Sequence, residues 1–221
     1  MRVFPTTLFG FAGAKVDVER RTISGGEALN GQEDVVETDG GGRWFAEFSD
    51  AYLDDPESDR AWSAITKLGE TTPMVVLLTE ARRQGLGQAW QPLGGLPWWN
   101  DTDFPPSEGA YLSVGAALRA TTVTITRANL PGPINFGMRF TIRHETMRER
   151  VYEVVELLSV SGASFTCRIH PPLREATAGG TACDFFNPRC VMRVDGDMAS
   201  ALTMGFADGS VRFVEHFAES Y

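Results

Sequence analysis

The stretch that decides the fold is Arg43-Trp-Phe-Ala-Glu-Phe-Ser-Asp-Ala-Tyr-Leu-Asp-Asp-Pro-Glu-Ser-Asp-Arg-Ala-Trp-Ser-Ala-Ile-Thr-Lys-Leu-Gly69. In its first part Trp44, Ala46 and Phe48 fall on one face of an extended chain and Phe45 and Glu47 on the other, the alternation of a half-buried antiparallel strand over Arg43–Ser49. The period then changes. After Asp54-Asp55, Pro56 suits a first helical turn, Glu57 and Asp59 complement a helix N-terminus, and Trp62, Ile65 and Leu68 recur at helical spacing until Gly69 ends the run. A helix over 56–69 that packs on this strand would bury Trp44, Phe48, Trp62, Ile65 and Leu68 in one cluster.

Outward from this segment, nearly every other ordered stretch reads as a strand. These are Lys15–Ser24, Asp34–Thr38, Met74–Thr79, Leu118–Thr126, Met138–Arg143, Val151–Leu158, Ser164–His170, Val191–Val194 and Val211–His216. Many short strands separated by Gly- and Pro-bearing turns, with a single helix, argue for a mainly-β, α+β chain, either a β-sandwich or a split barrel. Alternating β/α units are missing, which disfavours a doubly wound nucleotide-binding fold. Residues 1–83 form the N-terminal part of this domain, and 136–221 the C-terminal β part that completes it. Between them, 84–135 is a variable segment that opens on QGLGQAWQPLGGLPWWNDTDFPP, where Trp90, Trp98, Trp99 and Phe104 interrupt Gly and Pro without either periodicity. A long structureless loop of this kind tends to be functional or contact-forming, and these aromatics are a candidate partner-contact loop.

The N-terminus, MRVFPTTLFGFAGAK, has the basic start of a signal peptide, but Pro5, Thr6 and Thr7 break its apolar stretch. It reads as a first strand and turn. No later window offers the ~20 apolar residues of a spanning helix.

Composition narrows the function. The 221 residues are 43% hydrophobic and 22% charged, and a chain of this length buries about 70% of its unfolded surface, enough for a sizeable core without disulfides or metals. Twenty Lys and Arg against 29 Asp and Glu leave a net charge of −9, which disfavours charge-driven binding to nucleic acid or to anionic membranes. Cys167, Cys183 and Cys190 have no framework spacing and fit buried thiols in a reducing compartment.

Candidate chemistry is thin. Cys167-x-x-His170 with Cys183 and Cys190 supplies zinc-ligand types, but strand geometry points Cys167 and His170 to opposite faces and independent buried thiols are the better reading. A Cys183–Cys190 disulfide would need an oxidising environment. His144, His170 and His216 accompany no Gly-x-Ser-x-Gly elbow. Glu145, Glu149, Glu153 and Glu156 read as solvated strand and turn charges around the hairpin-like HETMRER rather than as a glycosidase pair. Gly40-Gly41-Gly42 precedes a strand and is a hairpin tip, not a phosphate cradle. No catalytic residue, cofactor or metal is expected, and the residues suggest binding or assembly.

The order of short motifs adds to this. Trp44-Phe45-Ala46-Glu47-Phe48, Arg60-Ala61-Trp62, Leu68-Gly69 and Pro73-Met74-Val75-Val76 come first. Val151-Tyr152-Glu153-Val154, Arg168-Ile169-His170-Pro171-Pro172-Leu173-Arg174 and Cys190-Val191-Met192-Arg193-Val194 follow. In this order the chain resembles the distal tail protein family of long-tailed bacteriophages and related tail-like particles, over most of residues 1–217. The structural signature is Trp44, Phe48, Trp62, Pro171, Pro172, Leu173 and Arg174. Where that family has a Gly-Asp turn before its central strand, this chain has Phe136-Gly137-Met138, and 84–135 aligns only loosely.

The resemblance implies a tail-tube-like fold and a structural virion protein without enzymatic activity. It implies a homo-oligomeric ring, typically of six copies, at the virion tail tip, assembled in the host cytoplasm. The ring would join the tail tube protein to the tail hub or baseplate protein and leave a channel through which DNA passes without specific binding, with no membrane partner. The alternative is a carbohydrate-binding β-sandwich that stacks sugars on the Trp-rich loop; a jelly-roll glycoside hydrolase ranks behind it. Two smaller expectations follow: Pro171-Pro172 ends a strand, and Arg174 holds a carboxylate at a boundary or interface.

Overall fold

The structure is a computed structural model that describes residues 2–19, 22–27, 33–37, 41–53, 55–69, 71–78, 109–130, 132–196, 199–203 and 206–217. It is mainly β with one full helix, as the alternation and the lone helical period predict. The strands divide into an open sheet, a closed barrel and a separate two-stranded ribbon.

The open sheet draws on both ends of the chain. In spatial order it runs β1 (Gly13–Glu19), β4 (Arg43–Leu53), β14 (Phe206–Glu215), β12 (Arg189–Val194) and β5 (Met74–Leu77), with β13 (Ala199–Thr203) paired to β14. The ribbon is β2 (Thr22–Glu27) with β3 (Glu33–Glu37). The single strand expected over Lys15–Ser24 is thus two strands in different sheets. The N-terminus departs from expectation as well: only Val3 bridges Val75, and Thr6–Phe9 is a single helical turn, α1, rather than strand and turn.

Helix α2 (Pro56–Gly69) begins as its sequence dictates, with Asp55 Oδ1 accepting from Glu57 N at 2.7 Å and Ser58 N at 3.0 Å. It lies with α1 on one face of the sheet. Trp44, Ala46, Phe48, Trp62, Ile65, Met74, Met192, Val211 and Phe213 share that core, with Phe4 and Phe9 from the N-terminal segment. Leu68 does not join them and is half-buried; the last turn of α2 meets the sheet through Gly69 instead, where a Cβ would strike Val194. Gly209 is required here, since a Cβ at that position would stand 2.6 Å from the Trp62 ring.

The chain leaves the sheet at β5 and returns at β12, which are hydrogen-bonded neighbours. Between them it builds a barrel from β6 (Ala110–Leu112), β7 (Thr122–Arg127), β8 (Arg139–Arg143), β9 (Glu149–Ser161), β10 (Ser164–His170) and β11 (Ala182–Asp184). The cyclic order is β10-β7-β6-β11-β8-β9, an antiparallel Greek-key closure. Residues 110–112 and 122–127, part of the stretch 84–135, are therefore barrel strands; the strand expected from Leu118 starts only at Thr122. Inward side chains fill the barrel, among them Leu112, Ile125, Phe140, Ile142, Tyr152, Val154, Phe165, Cys167, Leu173 and Cys183.

Candidate functional site: an arginine-rich junction

Alternation in β14 puts Val211, Phe213 and Glu215 on the core side of the sheet, so a carboxylate enters an apolar face where the barrel meets it. Glu215 is fully buried. Its Oε2 accepts from Trp44 N at 3.2 Å and from Arg174 Nη2 at 3.0 Å, and its Oε1 lies 3.6 Å from Arg150 Nη1. Both guanidiniums carry on to main-chain carbonyls: Arg150 donates to His216 O at 2.7 Å and Val191 O at 3.2 Å, and Arg174 to Gly42 O at 2.7 Å. One sheet carboxylate thus holds two arginines from the barrel side, and each arginine also grips the sheet's backbone.

Trp44 is shared in the same way. Its indole Nε1 donates to Val151 O of β9 at 2.9 Å, while Arg139 of β8 stacks over its ring at 5.0 Å. Arg139 donates to Val16 O at 2.9 Å and to Glu153 Oε2 at 3.0 Å. The guanidinium carbons of Arg43, Arg150 and Arg174 stand 5.3, 5.1 and 4.9 Å from the ring of Phe217, a cation–π cluster at the mouth of the junction. Thr141 Oγ1 adds a further tie, donating to Arg189 O at 2.9 Å.

Pro171 and Pro172 follow the end of β10 and dock on Gly41, while Gly42 packs against Val18 and Glu19. Both glycines have positive φ (66° and 81°); a Cβ on Gly41 would strike Pro172 and one on Gly42 would strike Glu19 O. The Gly-rich run expected as a plain hairpin tip is, at these two positions, a close-packed contact. Arg174 meets its expectation: its side chain is nearly buried and holds a carboxylate at a boundary, here one within the chain.

Beneath the junction, Arg174 N donates to Tyr152 Oη at 3.0 Å, and Tyr152 Oη lies 2.7 Å from His144 Nε2. Burial drives the His144 pKa down to about 4, with Arg150 adding to the effect and Glu175 opposing it. His144 is therefore neutral at pH 7. Burial disfavours ionisation of Glu175, but donors from Met147 and Thr146 outweigh it and keep that carboxyl below its usual range.

The other sequence candidates separate. Phe48 and Trp62 belong to the sheet core and Leu173 to the barrel core, away from the polar contacts. Cys167 and Cys183 lie in the barrel and Cys190 in the sheet, all as free thiols. Burial pushes Cys167 and Cys190 up to about 12, so they stay protonated near neutral pH. Among the described residues no group of three or more His, Cys, Asp or Glu is arranged to hold a metal ion. Trp90, Trp98, Trp99 and Phe104 lie outside the described residues.

Sequence reading missed Arg139, Arg150 and Glu215, the centre of the junction. For Glu215 a signal existed, since alternation from Val211 and Phe213 puts a carboxylate on the core face. For Arg139 and Arg150 there was none, because both faces of a barrel strand can carry side chains that meet protein. Compared with known proteins, the chain matches no protein-family model and no curated protein sequence.

Proposed function

We propose that this chain is a structural tail protein, the distal tail protein of a long-tailed phage or tail-like particle. Several copies, six in the reading that the resemblance implies, form a ring at the tail tip between the tail tube and the hub or baseplate. The observation that carries the reading is spatial. Trp44 and Pro171–Arg174, motifs separated by more than half of the chain, meet at one junction that fastens sheet to barrel. A ring protomer must pass load between neighbours without flexing, and a buried, charge-paired joint between the sheet core and the barrel core supplies that stiffness.

Two further features support it. The sheet presents β1 as an edge strand, a ready means of forming contacts between copies. The net charge of −9 per chain, repeated around a ring, favours a conduit that repels a polyanion weakly rather than gripping it. The reading assigns no catalysis, and the buried thiols and His144 serve packing. Its test is electron microscopy of the purified chain: closed rings with a central opening are expected, and monomers alone at every concentration would overturn it. In parallel, duplex DNA should not be retained at about 50 mM salt, where electrostatic binding is favoured; retention with a steep salt dependence would contradict the conduit.

A further inference from the structure

The hydrogen-bond chain beneath the junction has a direction, and its proton count fixes it. Arg174 N–H can only donate, so it fills one acceptor position of Tyr152 Oη at 3.0 Å. Tyr152 is fully buried, and among the described residues the other group its hydroxyl meets is His144 Nε2 at 2.7 Å. If Nε2 carried the imidazole proton, the hydroxyl hydrogen and His144 Nδ1 would both be buried without a partner among those residues. With the proton on Nδ1, the hydroxyl donates to Nε2 and a single buried group, Nδ1–H, is left over. The neutral Nδ1–H tautomer is therefore assigned from the network: Arg174 N–H donates to Tyr152 Oη, and Tyr152 O–H donates to His144 Nε2.

This chain of donors suits one charge state only. A proton added to Nε2 sets two hydrogens against each other across 2.7 Å, and a buried hydroxyl left without an acceptor is costly. The charges that face the ring act on its protonated form in opposite senses. Arg150, from β9 like Tyr152, repels an imidazolium, whereas Glu175, next to Arg174 on the segment after β10, attracts one. The Glu175 carboxylate is already fixed on the β8–β9 turn by Thr146 N, Thr146 Oγ1 and Met147 N, at 3.2, 2.9 and 3.0 Å. A neutral His144 thus belongs to Tyr152 and a charged one to Glu175, so the ring has two competing partners and one proton decides between them.

We infer that His144, besides its packing role, is an acid-operated latch on Arg174: protonation moves the ring from Tyr152 to Glu175 and exposes the Arg174 main chain. Water that enters to accept the stranded Tyr152 hydrogen competes for the Arg174 N–H as well. The effect reaches the junction because the Arg174 guanidinium holds Glu215 Oε2 and Gly42 O. Loosening its main chain slackens one of the two arginines on that carboxylate, so acid opens the joint from the barrel side before either core is exposed. Burial holds the His144 pKa at about 4, which keeps the latch shut at pH 7. The latch works within one chain and does not depend on ring formation.

The test is NMR on the full chain. At pH 7 long-range proton–nitrogen spectra should place the His144 proton on Nδ1; a proton on Nε2 overturns the latch. Between pH 7 and about pH 4, exchange of the Arg174 amide, corrected for its intrinsic pH dependence, is expected to rise at least tenfold. The neighbouring Leu173 amide, bonded to Ala120 O, should keep its protection. Equal loss at both amides means that the barrel itself opens, which overturns a local latch. His144→Gln offers Tyr152 an acceptor at every pH and should abolish the rise. Glu175→Gln should move its midpoint to lower pH, because it removes the anion that draws the charged ring, and this variant decides the matter if His144→Gln does not fold. The same rise in folded His144→Gln, or an unmoved midpoint in Glu175→Gln, overturns the proposal.

Discussion

The sheet and the barrel solve the same problem in different ways. The sheet has an open apolar face, and it is covered by rings: Phe4, Phe9, Phe11, Phe48, Trp62 and Phe213 meet with centroids 4.7 to 6.2 Å apart, so the cover comes from α1, α2 and the N-terminal segment. The barrel closes on itself and needs no cover; its core is largely aliphatic, with Phe140 stacked on Phe185 at 4.9 Å. Burial stabilises both in proportion to the volume filled. Where they meet, the chain uses charge, and a buried pair that loses one partner leaves the other uncompensated. Cores should therefore weaken by degrees, and the junction abruptly.

The sharpest contrast is between Trp62 and Glu215. Trp62→Ala should cost about 3–5 kcal/mol in urea unfolding, as large buried aromatics do, while Trp62→Phe should recover most of that because volume is what counts. Glu215→Ala should also cost about 3–5 kcal/mol, but Glu215→Gln should recover little, since it keeps the volume and still leaves Arg150 and Arg174 without a counter-charge. A Gln variant near wild-type stability would erase the distinction between core and junction.

A smaller effect concerns acid. His144 is held neutral, with its folded pKa at about 4 against a reference of 6.5. Above pH 6.5 neither state binds the proton. Between pH 6.5 and about 4 the unfolded chain binds it and the folded chain does not, so stability falls with pH, by roughly 3 kcal/mol in all. Below about 4 both are protonated and this contribution is gone. His216, lowered by burial and by Arg193, Arg150 and Arg43, acts in the same direction. His144→Gln should flatten most of the pH dependence in that window, and an unchanged slope would show that the Tyr152–His144 contact is not the source.

The comparison also explains what was legible in the sequence. The strand at Trp44–Phe48 and helix α2 announce themselves because each is long enough to repeat its period several times and each has one wet face. Strands β6 and β11, three residues each, repeat nothing, and Greek-key neighbours such as β7 and β10 are joined by main-chain pairing between distant segments that no local pattern connects. Leu68 shares the spacing of Trp62 and Ile65 but is only half-buried, because spacing marks a face and not which residue of the last turn meets the sheet, and here that residue is Gly69. Arg174 was legible through Pro171-Pro172, which mark a strand end, whereas its partner Glu215 required knowing that β14 runs beside β4.

Hydrogen exchange read by mass spectrometry tests most directly whether sheet and barrel form one body. The account predicts that peptides from β4, β12 and β14 and from β7, β9 and β10 exchange with the same opening free energy in the wild type. In Glu215→Ala the barrel peptides should keep a common value while the sheet peptides fall away from it. Separate opening energies for sheet and barrel in the wild type, unchanged by the substitution, would contradict the claim that the arginine-rich junction joins them.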